Sequence, residues 1–372
     1  MAVTEPARLA VGRTAVLGFR IRAQQLDRES GTVADTAVLD FGVQDTGGDG
    51  AVWALACRGV DPAGIGDREL ALLWTLRGAP HQYRRADLPA VAAAVRPYAD
   101  EDAGKRIFDA AKPLKAAGIG PLTALDAVAE AMRAVVTRPM VKGEVSTEVT
   151  KRMPEPYLRF CRPCNATHLY EQTFRLGATR AGIELEPDTS PPVLRRIPSW
   201  RPAATVPPRF DLIRAYLRFL GPATPKQVAE FLDSPVRVIS QRWPEDAVPV
   251  DVDGEKRWVL ADDLDALSAG SAKVARLLAP YDLFLQARDR SLLVPSAERA
   301  KSVWVILGRP GAVLYQGDLV GIWRPRQSGR RLRLLVDLWT TPTTALRRAV
   351  AEQAERLAAY RGVTFAGVDV EG

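Results

Sequence analysis

The chain has 372 residues, 26% of them charged and 47% hydrophobic. That balance excludes a disordered or low-complexity chain and leaves room for about two to four packed units. No apolar run approaches the ~18 residues of a membrane helix, and Met1–Arg8 lacks a signal-peptide core, so the sequence reads as cytoplasmic. The net charge of +7 and a pI near 9.4 favour an anionic partner such as nucleic acid. Only nine of the 51 basic residues are Lys and the rest are Arg, whose guanidinium suits bidentate phosphate contact. Three cysteines, two of them close together, fit a reducing compartment better than a disulfide framework.

In chain order, residues 9–26 are expected as a first helix, followed by helices over 33–41 and 51–58. The glycine-rich stretch Phe41–Gly50 joins the last two and places Gln44, Asp45 and Thr46 consecutively in a helix-turn-helix bend. Such a triplet either caps and solvates its turn or aims an amide, a carboxylate and a hydroxyl outward. Residues 69–77 and 81–84, joined at Gly78-Ala79-Pro80, read as a β-ribbon. Together these are the parts of a winged helix over 1–100, with Arg77, Arg84 and Arg85 at the ribbon to meet a phosphate.

A second unit, 101–200, carries helical periodicity over 103–112 and 122–132. It then offers a helix pair at 142–150 and 166–175, the latter capped by Asn165, and a wing at 182–186 and 193–197. A proline-rich linker follows. The third unit, 209–270, is the most legible. Phe210–Leu220 is one amphipathic helix, Thr224-Pro225-Lys226-Gln227 is a capping box, and Ser234-Pro235 opens a further helix. Residues 248–252 and 256–260 then form a hairpin turning at Asp253-Gly254. From 274 to 372 the pattern turns to strands, with a hairpin over Ala312–Trp323, a run Arg324, Arg326, Arg330, Arg331 and Arg333, and a last helix opened by Thr341-Pro342. The expected fold is therefore α+β: three tandem winged-helix units with a β-rich C-terminal domain.

Several separated motifs then resemble one family in the right order. They are Gly42-Val43-Gln44 running into Ala51–Arg58, Leu76–His81, Cys161-Arg-Pro-Cys164 with His168, Leu220–Thr224, Tyr281-Asp282 with Arg288-Asp289-Arg290, and Asp318–Arg324. Over nearly its whole length the chain resembles the winged-helix DNA glycosylases that unhook interstrand crosslinks, the AlkZ/YcaQ-like group. The resemblance implies a Gln-x-Gln or Gln-x-Asp motif holding the water that hydrolyses the N-glycosidic bond of an N7-alkylated purine. Gln44 matches its first position, whereas Thr46 stands third and the carboxylate Asp45 has moved to the middle. The resemblance also implies lesion recognition by the hairpin bearing Gln316 and Trp323.

N7 alkylation makes guanine a cationic leaving group, so the enzyme must place one water and stabilise an oxocarbenium-like sugar. We therefore expect Asp45 as electrostatic stabiliser or base, Gln44 as water orienter and Thr46 as auxiliary. His81 is expected as a catalytic or lesion-contacting residue, or else as a structural or phosphate-contacting one. Arg324, Arg326 and Arg330 meet phosphates or form a solvated face. Cys161, Cys164 and His168 have ligand-like spacing for zinc but no apparent fourth partner, and otherwise pack beside a helix. No Lys lies near the triplet, so lyase chemistry is not expected, and no cofactor is. The expected partner is double-stranded DNA carrying alkylated purines, bound by a monomer. A transcriptional regulator and a small-molecule sequestration protein are the alternatives, and dimerisation on paired half-sites would mark the first.

Overall fold

The computed structural model describes residues 9–47 and 50–371. Met1–Arg8 and Gly372 lie outside the described residues, as do Gly48 and Asp49 of the glycine-rich turn. Among the described residues no helix is long and apolar enough to cross a membrane.

The expected first helix is shorter than its apolar pattern. Leu9–Val11 is a strand, β1, because it finds a partner far along the chain; the helix is Arg13–Ala23, begun after extended Gly12. The expected helix over 33–41 is reduced to a 3-10 turn at Ala37–Asp40. Val43–Gln44 is strand β2, and the helix Ala51–Ala56 follows. The ribbon is present as β3 (Leu70–Trp74) and β4 (Pro80–Arg84).

Helices Asp100–Arg106, Ala111–Ala116 and Pro121–Val135 lead to β5 (Met140–Val141) and the helix Lys142–Thr150. The expected helix over 166–175 is divided. Leu158–Cys161 (β6) and Ala166–Leu169 (β7) make a hairpin, and the helix starts only at Glu171, running to Arg180. Asn165 is thus not a helix cap but a left-handed turn residue, at φ 47°. β8 (Ile183–Leu185) and β9 (Val193–Arg196) come next.

The third unit follows its caps. Asp211 accepts from the backbone of Ile213 and Arg214 to start Leu212–Leu220. The Thr224–Gln227 capping box starts Pro225–Leu232, and Val236–Ser240 leads to β10 (Ala247–Val252) and β11 (Glu255–Leu260). The C-terminal part is β12 (Ala275–Leu278), β13 (Gly311–Tyr315), β14 (Asp318–Ser328), β15 (Arg331–Leu338), the helix Thr344–Tyr360 and β16 (Thr364–Glu371).

Sheet pairing crosses the units. β1 lies parallel to β10 in the order β1-β10-β11, and the six-stranded order β2-β4-β3-β8-β9-β5 joins the first ribbon to the later strands. β12 to β16 form a five-stranded sheet in sequence order. The largest apolar core packs Arg13–Ala23, Ala51–Ala56 and Leu212–Leu220 against that sheet.

Two buried ionic anchors cross this core. Arg58 meets Asp282 at 2.8 Å, and Asp289 receives Arg20 at 2.7 Å and also Arg257. All five side chains are at most 6% exposed, so each charge depends on its partner, and loss of one would strand the other in low dielectric.

Candidate active site

Gln44 is delivered by sheet pairing, not by a free bend. β2 is an edge strand with Val43 opposite Gln82 and Gln44 opposite His81, and Asp45 N–H donates to the Pro80 carbonyl at 2.9 Å. Gly42 admits this path: its φ is +96°, and a Cβ there would lie 2.5 Å from the Tyr83 ring.

The Gln44 side chain is half-buried and clamped. Its carbonyl oxygen accepts from Arg77 (3.3 Å) and from the Gln286 amide (3.2 Å). Gln286 in turn accepts from Arg77 at 2.6 Å and donates to the Tyr281 carbonyl at 2.8 Å. Arg77, itself at φ +57°, also donates to the Phe231 carbonyl and lies 4.5 Å over the Phe231 ring. With its oxygen occupied, Gln44 presents its NH2, which has no partner among the described residues. It can therefore orient a water as a donor but not also as an acceptor.

Asp45 takes the turn-capping role that the sequence allowed. One carboxylate oxygen accepts from Gly47 N–H (3.3 Å) and Ala51 N–H (3.4 Å), which caps the helix Ala51–Ala56. Gly50 leaves room for it, since a Cβ there would stand 2.3 Å from that oxygen. The other oxygen has only a long contact, 3.4 Å, from Gln82. Thr46 is exposed and lines an open cleft of about 430 Å3 with Arg309, Gly311, Trp323, Arg324 and Arg361.

Arg309 lines this cleft, and Arg288 and Arg290 lie near enough to it to interact electrostatically. Arg309 stacks 4.3 Å over Tyr281, Arg290 5.0 Å over Trp304, and Arg288 5.8 Å over Phe231. None of the three has a carboxylate partner among the described residues. Burial, followed by Arg288 and Arg309, lowers the pKa of Arg290; burial and Arg288 lower that of Arg309. Burial and Arg288 bring Arg77 down to about 10. Positive groups that repel one another favour an anion between them. Sequence reasoning gave no site role to Gln286, Arg288, Arg290 or Arg309. The available signal was the run between Tyr281-Asp282 and Arg288-Asp289-Arg290, whose aspartates prove to be the buried anchors.

Other expected contacts are corrected. His81 is buried and its Nδ1 lies 2.9 Å from the Ala79 carbonyl and 3.1 Å from the Thr75 hydroxyl. Burial and Arg77 push its pKa to about 3, so it is a neutral strut and not a DNA contact. Arg84 is used internally, by Asp40 (2.6 Å), Asp87 (2.9 Å) and the Val33 carbonyl; Arg85 is used by Glu184 (2.9 Å). Both lie at the base of the ribbon, away from its turn. Arg77 stands at that turn but points inward to Gln44.

Trp323 lines the cleft yet is only 1% exposed, with its indole N–H on the Leu278 carbonyl, so it is a wall and not a reaching side chain. Gln316 is exposed at the β13–β14 turn. The cleft adjoins the other end of that hairpin, where Gly311 pairs with Trp323, about five residues or ~17 Å away. The projecting basic element is the next hairpin. β14 is buried up to Trp323 and exposed from Arg324 onward, so Arg324, Arg326 and Arg330 face solvent between the cleft and the β14–β15 turn. Arg324 is tied to the Gly308 carbonyl.

The model of the AlkZ-like DNA glycosylases matches residues 44–360, beginning at the clamped glutamine. The fold is similar to that of Streptomyces sahachiroi DNA glycosylase AlkZ, with a TM-score of 0.74 at 20% sequence identity, covering 98% of this chain and 100% of that one. No curated protein sequence matches the chain. The family match spans most of the chain and includes the residues of the clamp, and so the chain belongs to the AlkZ-like DNA glycosylases.

Proposed function

We propose that this DNA glycosylase excises bulky N7-alkylated purines from duplex DNA as a monofunctional hydrolase, acting as a monomer. The observation that carries this reading is a neutral amide clamped by Arg77 and Gln286, next in sequence to a carboxylate and to Thr46, which lines a cleft shared with Arg309, an arginine that has no carboxylate partner among the described residues. Arg309, with Arg288 and Arg290 near it, takes the phosphates that flank an extruded nucleotide. A cationic N7-alkylpurine needs little protonation to depart, so the remaining demand is a placed water and negative potential near the sugar. The free Gln44 NH2 donates to that water, the less engaged Asp45 oxygen faces the developing sugar cation, and the Thr46 hydroxyl completes the shell. Hydrolysis by a placed water forms no Schiff base and so calls for no lysine nucleophile.

Ile306 and Leu307 are 91% and 88% exposed on the loop entering Gly308 and Arg309, and they act as an apolar wedge in the base stack beside the extruded nucleotide. In this reading the helix-turn-helix and hairpin of residues 209–270 is the third of three winged helices on the DNA-facing scaffold, and a crosslinked strand is admitted by the open mouth of the cleft. The test is release of free modified base from a duplex bearing N7-alkylguanine under single-turnover conditions. Gln44→Ala and Asp45→Asn should lose release while keeping duplex affinity. Unchanged rates in both would refute the assignment.

A further inference from the structure

We propose that Cys161, Cys164 and His168 bind one zinc ion, with the fourth position open to water, and that this ion staples the β6–β7 hairpin. The hairpin register puts Cys161 opposite Ala166, so His168, two residues along β7, is its diagonal neighbour on the same face. Cys164 is brought round by the tight turn in which Asn165 N–H donates to the Arg162 carbonyl at 3.1 Å and Asn165 takes the left-handed conformation. The three ligand atoms lie within 4.8 Å of one another. Small side-chain rotations bring such a trio to the ~2.0–2.3 Å bonds of a zinc centre.

The histidine is already oriented. Its Nδ1 lies 2.7 Å from the Leu169 carbonyl, so Nδ1 carries the proton and Nε2 is left as the ligand. A carbonyl partner of this kind fixes both ring and tautomer at metal sites.

The hairpin also has a reason to be stapled. Its strands are four residues each, they pair with no other strand among the described residues, and Leu169 is the one of their eight residues that is buried, while Phe160 is 61% exposed. A lone two-stranded ribbon is marginal in water. It leads directly into the helix Glu171–Arg180, whose Arg175 donates to the Gly78 carbonyl beside Arg77. The ion thus braces a helix that backs the Gln44 clamp, but its binding does not depend on the proposed substrate.

The test uses the full chain purified under reducing conditions, dialysed against zinc and then buffer, with metal measured by elemental analysis. One equivalent is expected, with strong loss in Cys161→Ser, Cys164→Ser and His168→Ala. Cobalt loading of the wild-type chain should give thiolate charge-transfer absorption that the cysteine variants lack. Metal removal should raise amide exchange over 158–175 first. Cys164 is exposed, so its variant folds and keeps the test decisive. A metal-free wild-type chain, zinc retained by all three variants, or a Cys161–Cys164 disulfide in place of the ion would each overturn the proposal.

Discussion

Replacing Gln286 with Met removes the side chain that holds Gln44 and adds no charge. Three hydrogen bonds go: to Gln44 (3.2 Å), to the Tyr281 carbonyl (2.8 Å) and from Arg77 (2.6 Å). Neutral hydrogen bonds contribute roughly 0.5–1.5 kcal/mol each and one to a charged group roughly 1.5–3 kcal/mol. Because these groups are half-buried and water can replace Gln286, the low end applies, about 2–3 kcal/mol of stability. A domain with ~5–15 kcal/mol in hand stays folded. Catalysis should suffer more specifically. Freed of one of its two restraints, Gln44 needs to shift by only ~1 Å for a loss of about 100-fold in rate, or ~2.7 kcal/mol of barrier. The assay is single-turnover release of N7-methylguanine from duplex DNA with enzyme in excess, beside the dissociation constant for undamaged duplex. A slower rate at unchanged affinity is expected. A folded Gln286→Met chain with the wild-type rate, or a rate loss matched by lost affinity, would refute the clamp.

The remaining predictions separate binding from architecture. Arg290→Ala and Arg309→Ala should each weaken duplex binding for all sequences and reduce its salt slope by about 1, as a lost phosphate contact does. Arg84→Ala should lower thermal stability and leave that slope alone, because Arg84 is spent on Asp40 and Asp87. Asp282→Asn should cost about 3–5 kcal/mol in denaturant melts, since Arg58 would be left buried and charged. His81 has a folded pKa near 3 against 6.5 unfolded. The unfolded chain therefore takes up a proton that the folded one refuses, and the stability present above pH 6.5 is lost as pH falls toward 3. Urea melts of wild type and His81→Asn across that window should differ in slope, and the excision profile should show no His81 inflection near 6.5. Ile306→Ser with Leu307→Ser should slow excision from paired duplex more than from a site opposite a gap, where no stacked base needs displacing.

Local chemistry alone settled the elements within residues 209–270, since caps and turns act within a few residues: Asp211, the Thr224–Gln227 box and Asp253-Gly254 each satisfy backbone groups next to them. The sequence also marked Gln44, Asp45 and Thr46 and, through separated motifs, the family. Tertiary structure decided what those residues can do. Leu9–Val11 became a strand because β10 offers it an edge, and Gln44 entered a strand because β4 does. Neither partner is visible to local periodicity. The same holds for charge: composition counts arginines alike, yet Arg84 and Arg58 are consumed by carboxylates while Arg288, Arg290 and Arg309 have no carboxylate partner among the described residues, and Arg309 lines a cleft. Whether a guanidinium can meet DNA depends on which carboxylates folding brings beside it, and that is a property of packing between distant segments.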